Sequence, residues 1–316
     1  MDSKYILKKE ILEEEQKTNK KFEELKNDGK IKFITFHPSY SYEEFIEGIT
    51  IKDKPENNSL YERKDGFFKK FCADALKNVL KKDKNMNFTW KELFKEYKKH
   101  IENKSKEDIK QMWKEADRFV LIIDEINRGD MSKIFGELIT LLESDKRLGE
   151  DNAITTNLPI SGDEFGIPPN VYLLGTMNTA DRSIALIDVA LRRRFGFVEM
   201  PPNLYQLESD FNKSDNFENS LLKKSINKLK EINQKIRADE TLGKEKEIGH
   251  SFFYSLNNKN DDSLINIWIR EIFPLLEEYY YGEKDKLKEV CGSVYLEEEF
   301  GFTKETNAII KWLNGN

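Results

Sequence analysis

Short apolar runs that end in polar residues, "IKFITF" at 31–36, "FVLIID" at 119–124 and "VYLLGT" at 171–176, alternate with longer stretches of helical period. This alternation is the strongest constraint on the fold. Strands separated by helices pair in parallel, because the chain must cross back over the sheet before the next strand can begin. The expected class is therefore α/β. Strands are expected at 31–36, 119–123, 171–176 and 195–199, with helices at 65–82, 131–144 and 183–193.

Around this frame, residues 4–26 place Ile6, Leu7, Ile11, Leu12, Phe22 and Leu25 among Glu and Lys, as a helix with one buried face would. In "HPSYSYEEFIEGI", Ser41 is a natural cap for a short helix with Glu43 and Glu44 in its first turn. Residues 54–65 read as a loop or hairpin, and residues 85–115 as a Lys- and Glu-rich helical insertion whose charges form a solvated face. A polar loop is expected through Gly149 and Gly166. "MPPNLYQLESD" interrupts the alternation, and helices follow at 218–238, 263–281, 284–290 and 303–313. A boundary near Pro201-Pro202 would divide the chain into an α/β core, residues 1–200, and an α-helical domain, residues 201–316.

Length and charge narrow the function classes. The 316 residues carry 35% charged and 38% hydrophobic side chains, which fits a globular chain with a heavily solvated surface. A net charge of -6 disfavours a free-standing nucleic-acid binder, and no recognition-helix motif or aromatic-laced basic stripe is present. Cys72 and Cys291 are too few and too far apart for a disulfide framework, and His37, His100 and His250 lack zinc-ligand spacing. No apolar run is long enough for a membrane span, and the charged N-terminus does not read as a secretion signal, so a cytoplasmic location is expected.

The candidate chemistry lies at the carboxyl ends of the strands. Asp124 and Glu125 stand where open α/β sheets place their ligands. The first carboxylate can serve a magnesium ion and the second can orient or deprotonate an attacking water; a capped strand end is the plainer alternative. The strand at 171–176 brings Thr176 and Asn178 to the same edge, where an amide can position a water or a terminal phosphate. Asp181 or Ser183 can cap the helix that begins near Ile184. Arg192, Arg193 and Arg194 arrive at its far end, either to complement the helix dipole or to reach a neighbouring subunit's phosphate.

Taken together, "FITFHPSYSYEEFIEGI", "VLIIDEINRGDMSKIFGELITLLE", "LLGTMNTADRSIALIDVALRRRF", "IGHSFF" and "PLLEEYYYG" resemble, in order and spacing, the AAA+ motors of the McrB family. The similarity runs from about Tyr5 to Gly292. It implies a P-loop NTPase-like parallel sheet followed by an all-α lid. It further implies a Mg²⁺-dependent GTPase or ATPase in a ring-shaped homo- or hetero-oligomer, partnered by a McrC-like nuclease subunit in methylation-dependent DNA restriction. Asp124 and Glu125 match the Walker B pair, Asn178 the water-orienting sensor, and Asp181 and Arg182 the family signature. Arg192 to Arg194 match the region that supplies an arginine finger in trans. His250 falls in a lid motif, near the nucleotide or in helix packing.

Two features depart from that pattern. The only Gly-Lys pairs, Gly29-Lys30 and Gly243-Lys244, lack the rest of a G-x-x-x-x-G-K-[ST] phosphate loop, and "MDSK" occupies its place. No DNA-reading domain precedes the motor, so contact with DNA is expected only through a missing domain or a partner. In the family order 5-1-4-3-2 the absent strand is central, between 171–176 and 195–199. The expectation is a sheet lacking its first strand, in a fragment or a marginally folded chain with impaired nucleotide binding. The alternative is a non-hydrolysing ring subunit that lends its arginines to neighbours.

Overall fold

The computed structural model describes residues 17–56, 59–83, 85–178, 189–211, 217, 220–256, 261–296 and 301–315. Most of the N-terminal stretch expected as a helix, together with Asp181, Arg182 and Ser183, therefore lies outside the described residues. These fall into two compact units, Met1–Gly196 and Phe197–Asn316.

In the first unit, helix α1 covers residues 17–27 and leads through a turn at Gly29 into strand β1, Ile31–Thr35. Helix α2, Tyr42–Phe45, starts with the expected cap: Ser41 Oγ accepts the Glu44 N–H while the Glu44 carboxylate accepts the Ser41 N–H. The expected loop or hairpin is a hairpin, with β2 at Glu47–Glu56 and β3 at Ser59–Asp65. It closes at Gly66, where an added Cβ would stand 2.4 Å from the Phe45 backbone. Only glycine permits that approach.

Helix α3, Phe67–Val79, buries Phe68, Phe71, Cys72 and Leu76. The insertion forms helices α4, Trp90–Ile101, and α5, Lys106–Glu115. Its charges are mostly outward, yet Trp90, Leu93, Phe94, Tyr97 and Trp113 belong to the main core.

Strand β4, Phe119–Asp124, pairs in parallel with β1 on one side and with β7, Val171–Gly175, on the other. Helix α6, Met131–Phe135, ends well short of the expected 144. Gly136 takes φ 51° and ψ -130°, outside helical space, and the chain continues as a 3₁₀ turn over Gly136–Leu142. The polar loop that follows contains a small hairpin, β5 at Thr156–Asn157 and β6 at Glu164–Phe165.

The sheet order among the described residues is β1-β4-β7. Residues 195–199 are not the strand expected from their sequence. A short segment stays extended as a strand only when a neighbour accepts its backbone bonds, and β7 pairs with β4 alone. On the sheet's packed face Leu121 and Ile123 are fully buried. On the opposite face Phe33, Ile122 and Leu174 stand in register, and Phe33 and Leu174 are 59% and 55% exposed. Parallel sheets ordinarily carry cover on both faces.

The second unit, reached through the short helix α7 at Val189–Arg192, has its own core. Helices α8, Leu204–Phe211, and α9, Leu221–Ala238, come first. The expected helix at 263–281 is α10, Asp261–Ile267, a π turn at Trp268–Ile272 and α11, Phe273–Tyr279. Pro274 lacks an N–H to close the usual bond, and the widened turn lies just before it. Helix α12, Lys284–Cys291, the pair β8, Tyr295–Leu296, and β9, Gly301–Phe302, and helix α13, Thr306–Leu313, complete the unit. Trp268 is its centre: its indole N–H donates to Ser225 Oγ at 3.1 Å, and its ring meets Trp312 edge-on at 5.1 Å.

Candidate functional site

The carboxyl ends of β4 and β7 bring together four of the predicted residues, Asp124, Glu125, Thr176 and Asn178. Asp124 is the last residue of β4, and its carbonyl oxygen accepts the Phe36 N–H at 2.9 Å, which fixes the end of β1 beside it. Thr176, one residue beyond β7, bridges the two carboxylate positions. Its hydroxyl donates to Asp124 Oδ1 at 2.5 Å and accepts the Glu125 N–H at 3.3 Å. The Thr176 carbonyl also takes the Ile126 N–H at 2.9 Å. The two strand ends therefore hold one another through side chain and backbone together.

Glu125 turns sharply out of the strand, with φ 52° and ψ 44°. A left-handed conformation is uncommon for a residue with a Cβ and gathers at functional sites, where surrounding bonds hold it in place. Those bonds are the two to Thr176 and a 3₁₀ turn over Ile126–Arg128. Arg128 Nε stands 3.1 Å from Glu125 Oε2, an ion pair whose angle is not that of a hydrogen bond. Oε2 is buried and receives no hydrogen bond.

Asn127 shares this turn. Its Nδ2 reaches the Asn178 carbonyl at 3.5 Å, while its buried Oδ1 has no hydrogen-bond partner. By sequence, Asn127 and Arg128 carry little signal. The Glu125-Arg128 spacing was open to reading as one turn of helix, but the reach of Asn127 to a residue 51 positions later is visible only in the fold. Near the end of β1, His37 Nδ1 and Ser39 Oγ are 2.9 Å apart, and burial beside Glu44 pushes the Tyr40 phenol up to about 12.

The three arginines separate. Arg194 is only 6% exposed and pairs with Glu143 at 2.9 Å, so it is anchored within its own unit. Arg192 and Arg193 are exposed at the end of α7. His250 belongs to the second unit, in a 3₁₀ turn over His250–Ser255. Its Nδ1 accepts the Asn203 N–H at 3.1 Å and its ring stands edge-on to Tyr254. The loop before it is pinned by the buried Asn233, which exchanges two hydrogen bonds with the Ile248 backbone at 3.0 and 2.8 Å. These contacts hold His250 within the second unit.

A hard divalent cation suits the oxygen set at β4. Asp124 offers a carboxylate already oriented by Thr176, while Oε2 of Glu125, ion-paired with Arg128, and Oδ1 of Asn127 receive no hydrogen bond. Among the described residues no group of three or more His, Cys, Asp or Glu could hold a metal by itself. One or two protein carboxylates are what a magnesium ion takes where waters and substrate phosphates supply its other ligands.

Two families match the chain. "AAA domain (dynein-related subfamily)" covers residues 17–195, and "McrB, alpha-helical lid domain" covers residues 224–288. Among curated proteins, the chain is 35% identical over 265 residues to the Type IV methyl-directed restriction enzyme EcoKMcrB subunit of Escherichia coli (strain K12), covering 81% of this chain and 48% of that protein. It is 27% identical over 230 residues to the Type II restriction enzyme BsuMI component YdiS of Bacillus subtilis (strain 168), covering 66% of this chain and 61% of that protein. The chain thus spans about half to three fifths of the length of these relatives. With an AAA domain, a helical lid and a three-stranded parallel sheet that ends in Asp124, the chain belongs to the AAA family and is a McrB-like AAA+ protein.

Proposed function

We propose that this protein is the nucleotide-hydrolysing subunit of a methylation-dependent DNA restriction system, working in a ring with a McrC-like nuclease subunit. The observation that carries the reading is the joint between β4 and β7, in which Thr176 ties Asp124 to Glu125. Asp124 would hold Mg²⁺, and Glu125 would orient and deprotonate the attacking water, with Asn178 beside it. Bound Mg²⁺ would supply neutralisation of the charge that develops on the transferred phosphoryl group. The residues of this chain set the geometry: Thr176 fixes the metal carboxylate, and the left-handed turn aims Glu125 away from the strand. GTP or ATP is the substrate, and the core and lid would divide near residue 200. The 316 residues contain no G-x-x-x-x-G-K-[ST] sequence, so nucleotide binding by this chain alone should be weak.

The test is Mg²⁺-dependent hydrolysis of GTP and ATP by the purified chain beside Glu125→Gln. Turnover lost in the variant supports the assigned role, whereas equal turnover in both proteins removes Glu125 from the chemistry. A second reading is favoured by the exposure of Arg192 and Arg193: a ring subunit that stimulates a neighbour in trans. In that case the chain raises the turnover of a phosphate-loop-containing homologue, and Arg193→Ala abolishes the stimulation.

A further inference from the structure

Away from the β4 edge, Lys69 on the first turn of α3 is 1% exposed, and its Nζ meets three carboxylates: Asp65 at 2.8 Å, Glu47 at 2.9 Å and Asp163 at 3.2 Å. Glu47 is as deeply buried, at 2%. One of its oxygens faces the lysine, and the other accepts the Ile160 and Ser161 N–H groups, both at 2.9 Å. Arg63 adds a bond to the Ser161 carbonyl at 3.1 Å. The members of this network come from three different elements. Glu47 and Asp65 are register partners at the base of the β2-β3 hairpin, Lys69 is on α3, and residues 160–163 form the loop between β5 and β6.

Beyond its base, the large apolar side chains described on the hairpin arm are exposed. Ile51 and Tyr61 face each other across the strands and are 70% and 64% exposed, and Ile49 on the same face is 62% exposed. Among its described side chains, the buried charged contacts of the arm lie at its root. Desolvation offsets most of the attraction in a buried ion pair, so such a pair adds little net stability. Its distinctive effect is directional, because one arrangement satisfies every charge and N–H and a shifted arrangement leaves charges buried and unpaired.

We propose that the Lys69 cluster is a latch that locks the β2-β3 arm to the β5-β6 loop. While Lys69 bridges Glu47, Asp65 and Asp163, arm and loop move as one body and the apolar face of the arm keeps a fixed direction. When the bridge opens, the arm swings independently of the loop.

Hydrogen exchange read by mass spectrometry on the full chain tests this, comparing the wild type with Lys69→Met, Glu47→Gln and Asp163→Asn. The latch requires exchange in 47–51, 61–65 and 158–163 to rise roughly tenfold or more in each variant, with β4 and α9 unchanged. Asp163→Asn is isosteric and sits at the rim of the cluster, so it decides the matter if Lys69→Met fails to fold. Unchanged exchange in the arm of Asp163→Asn and Glu47→Gln overturns the proposal. So does a rise that is equal in the arm and in β4, which would make the cluster a contributor to global stability alone.

Discussion

Thr176 is the residue on which the candidate site most depends, since a single hydroxyl donates to Asp124 and accepts from the Glu125 N–H. Thr176→Val keeps the shape and removes both bonds. Loss of a side chain that orients a metal ligand typically costs about 10–100-fold in metal affinity or activity, and that range is expected for Mg²⁺-dependent turnover here. Thr176→Ser should restore most of it; steady-state kinetics of the two variants at several Mg²⁺ concentrations would show the difference. The carboxylates themselves were legible, because an apolar run ending in Asp-Glu marks a strand end in any α/β chain. The left-handed backbone of Glu125 and the reach of Asn127 were not. Both depend on contacts between residues far apart in sequence, and neither Glu nor Asn announces them by type.

Among elements, the local signals were the ones that could be read. The cap of α2 is set by Ser41 and Glu44, three residues apart, and it formed as its sequence implies. The helix expected at 131–144 stops early because Gly136 adopts a conformation that no helical period encodes, and 195–199 fails as a strand because pairing depends on a neighbour. At the end of α9, Asp239 accepts the Thr241 hydroxyl at 2.6 Å and the Thr241 N–H at 2.8 Å and pairs with Lys286 of α12 at 3.3 Å. The Thr241 hydrogen bonds, with Lys286 beside them, outweigh burial and hold its carboxyl at about 2. A carboxyl depressed in the folded state contributes stability above its unfolded value near 4, and loses it as pH falls toward about 2. Asp239→Asn should therefore be less stable than the wild type by about 1–2 kcal/mol at pH 7. The gap should close between pH 4 and pH 2, as urea titrations across that interval would record.

For the whole molecule, the division after Gly196 gives each unit its own core. The second unit, centred on Trp268, Trp312 and Phe273, is expected to fold when produced alone as residues 197–316. A cooperative thermal transition with a near-ultraviolet tryptophan signal would confirm it, and a broad transition without that signal would show that its core needs the first unit. The first unit faces a harder assembly problem, which follows from the position of β4. It is the only described strand of the sheet with a neighbour on each side: Ile31 pairs with Val120 about 90 residues later, and Phe119 with Val171 about 50 residues later. None of the described strand pairs of that sheet joins adjacent sequence. As the polypeptide leaves the ribosome, β1 must wait for β4, and β4 for β7, and Phe33 stays 59% exposed even when they have paired. Refolding should accordingly be slow and should lose yield steeply with protein concentration, and an added chaperone should raise that yield more than the chain's modest size suggests.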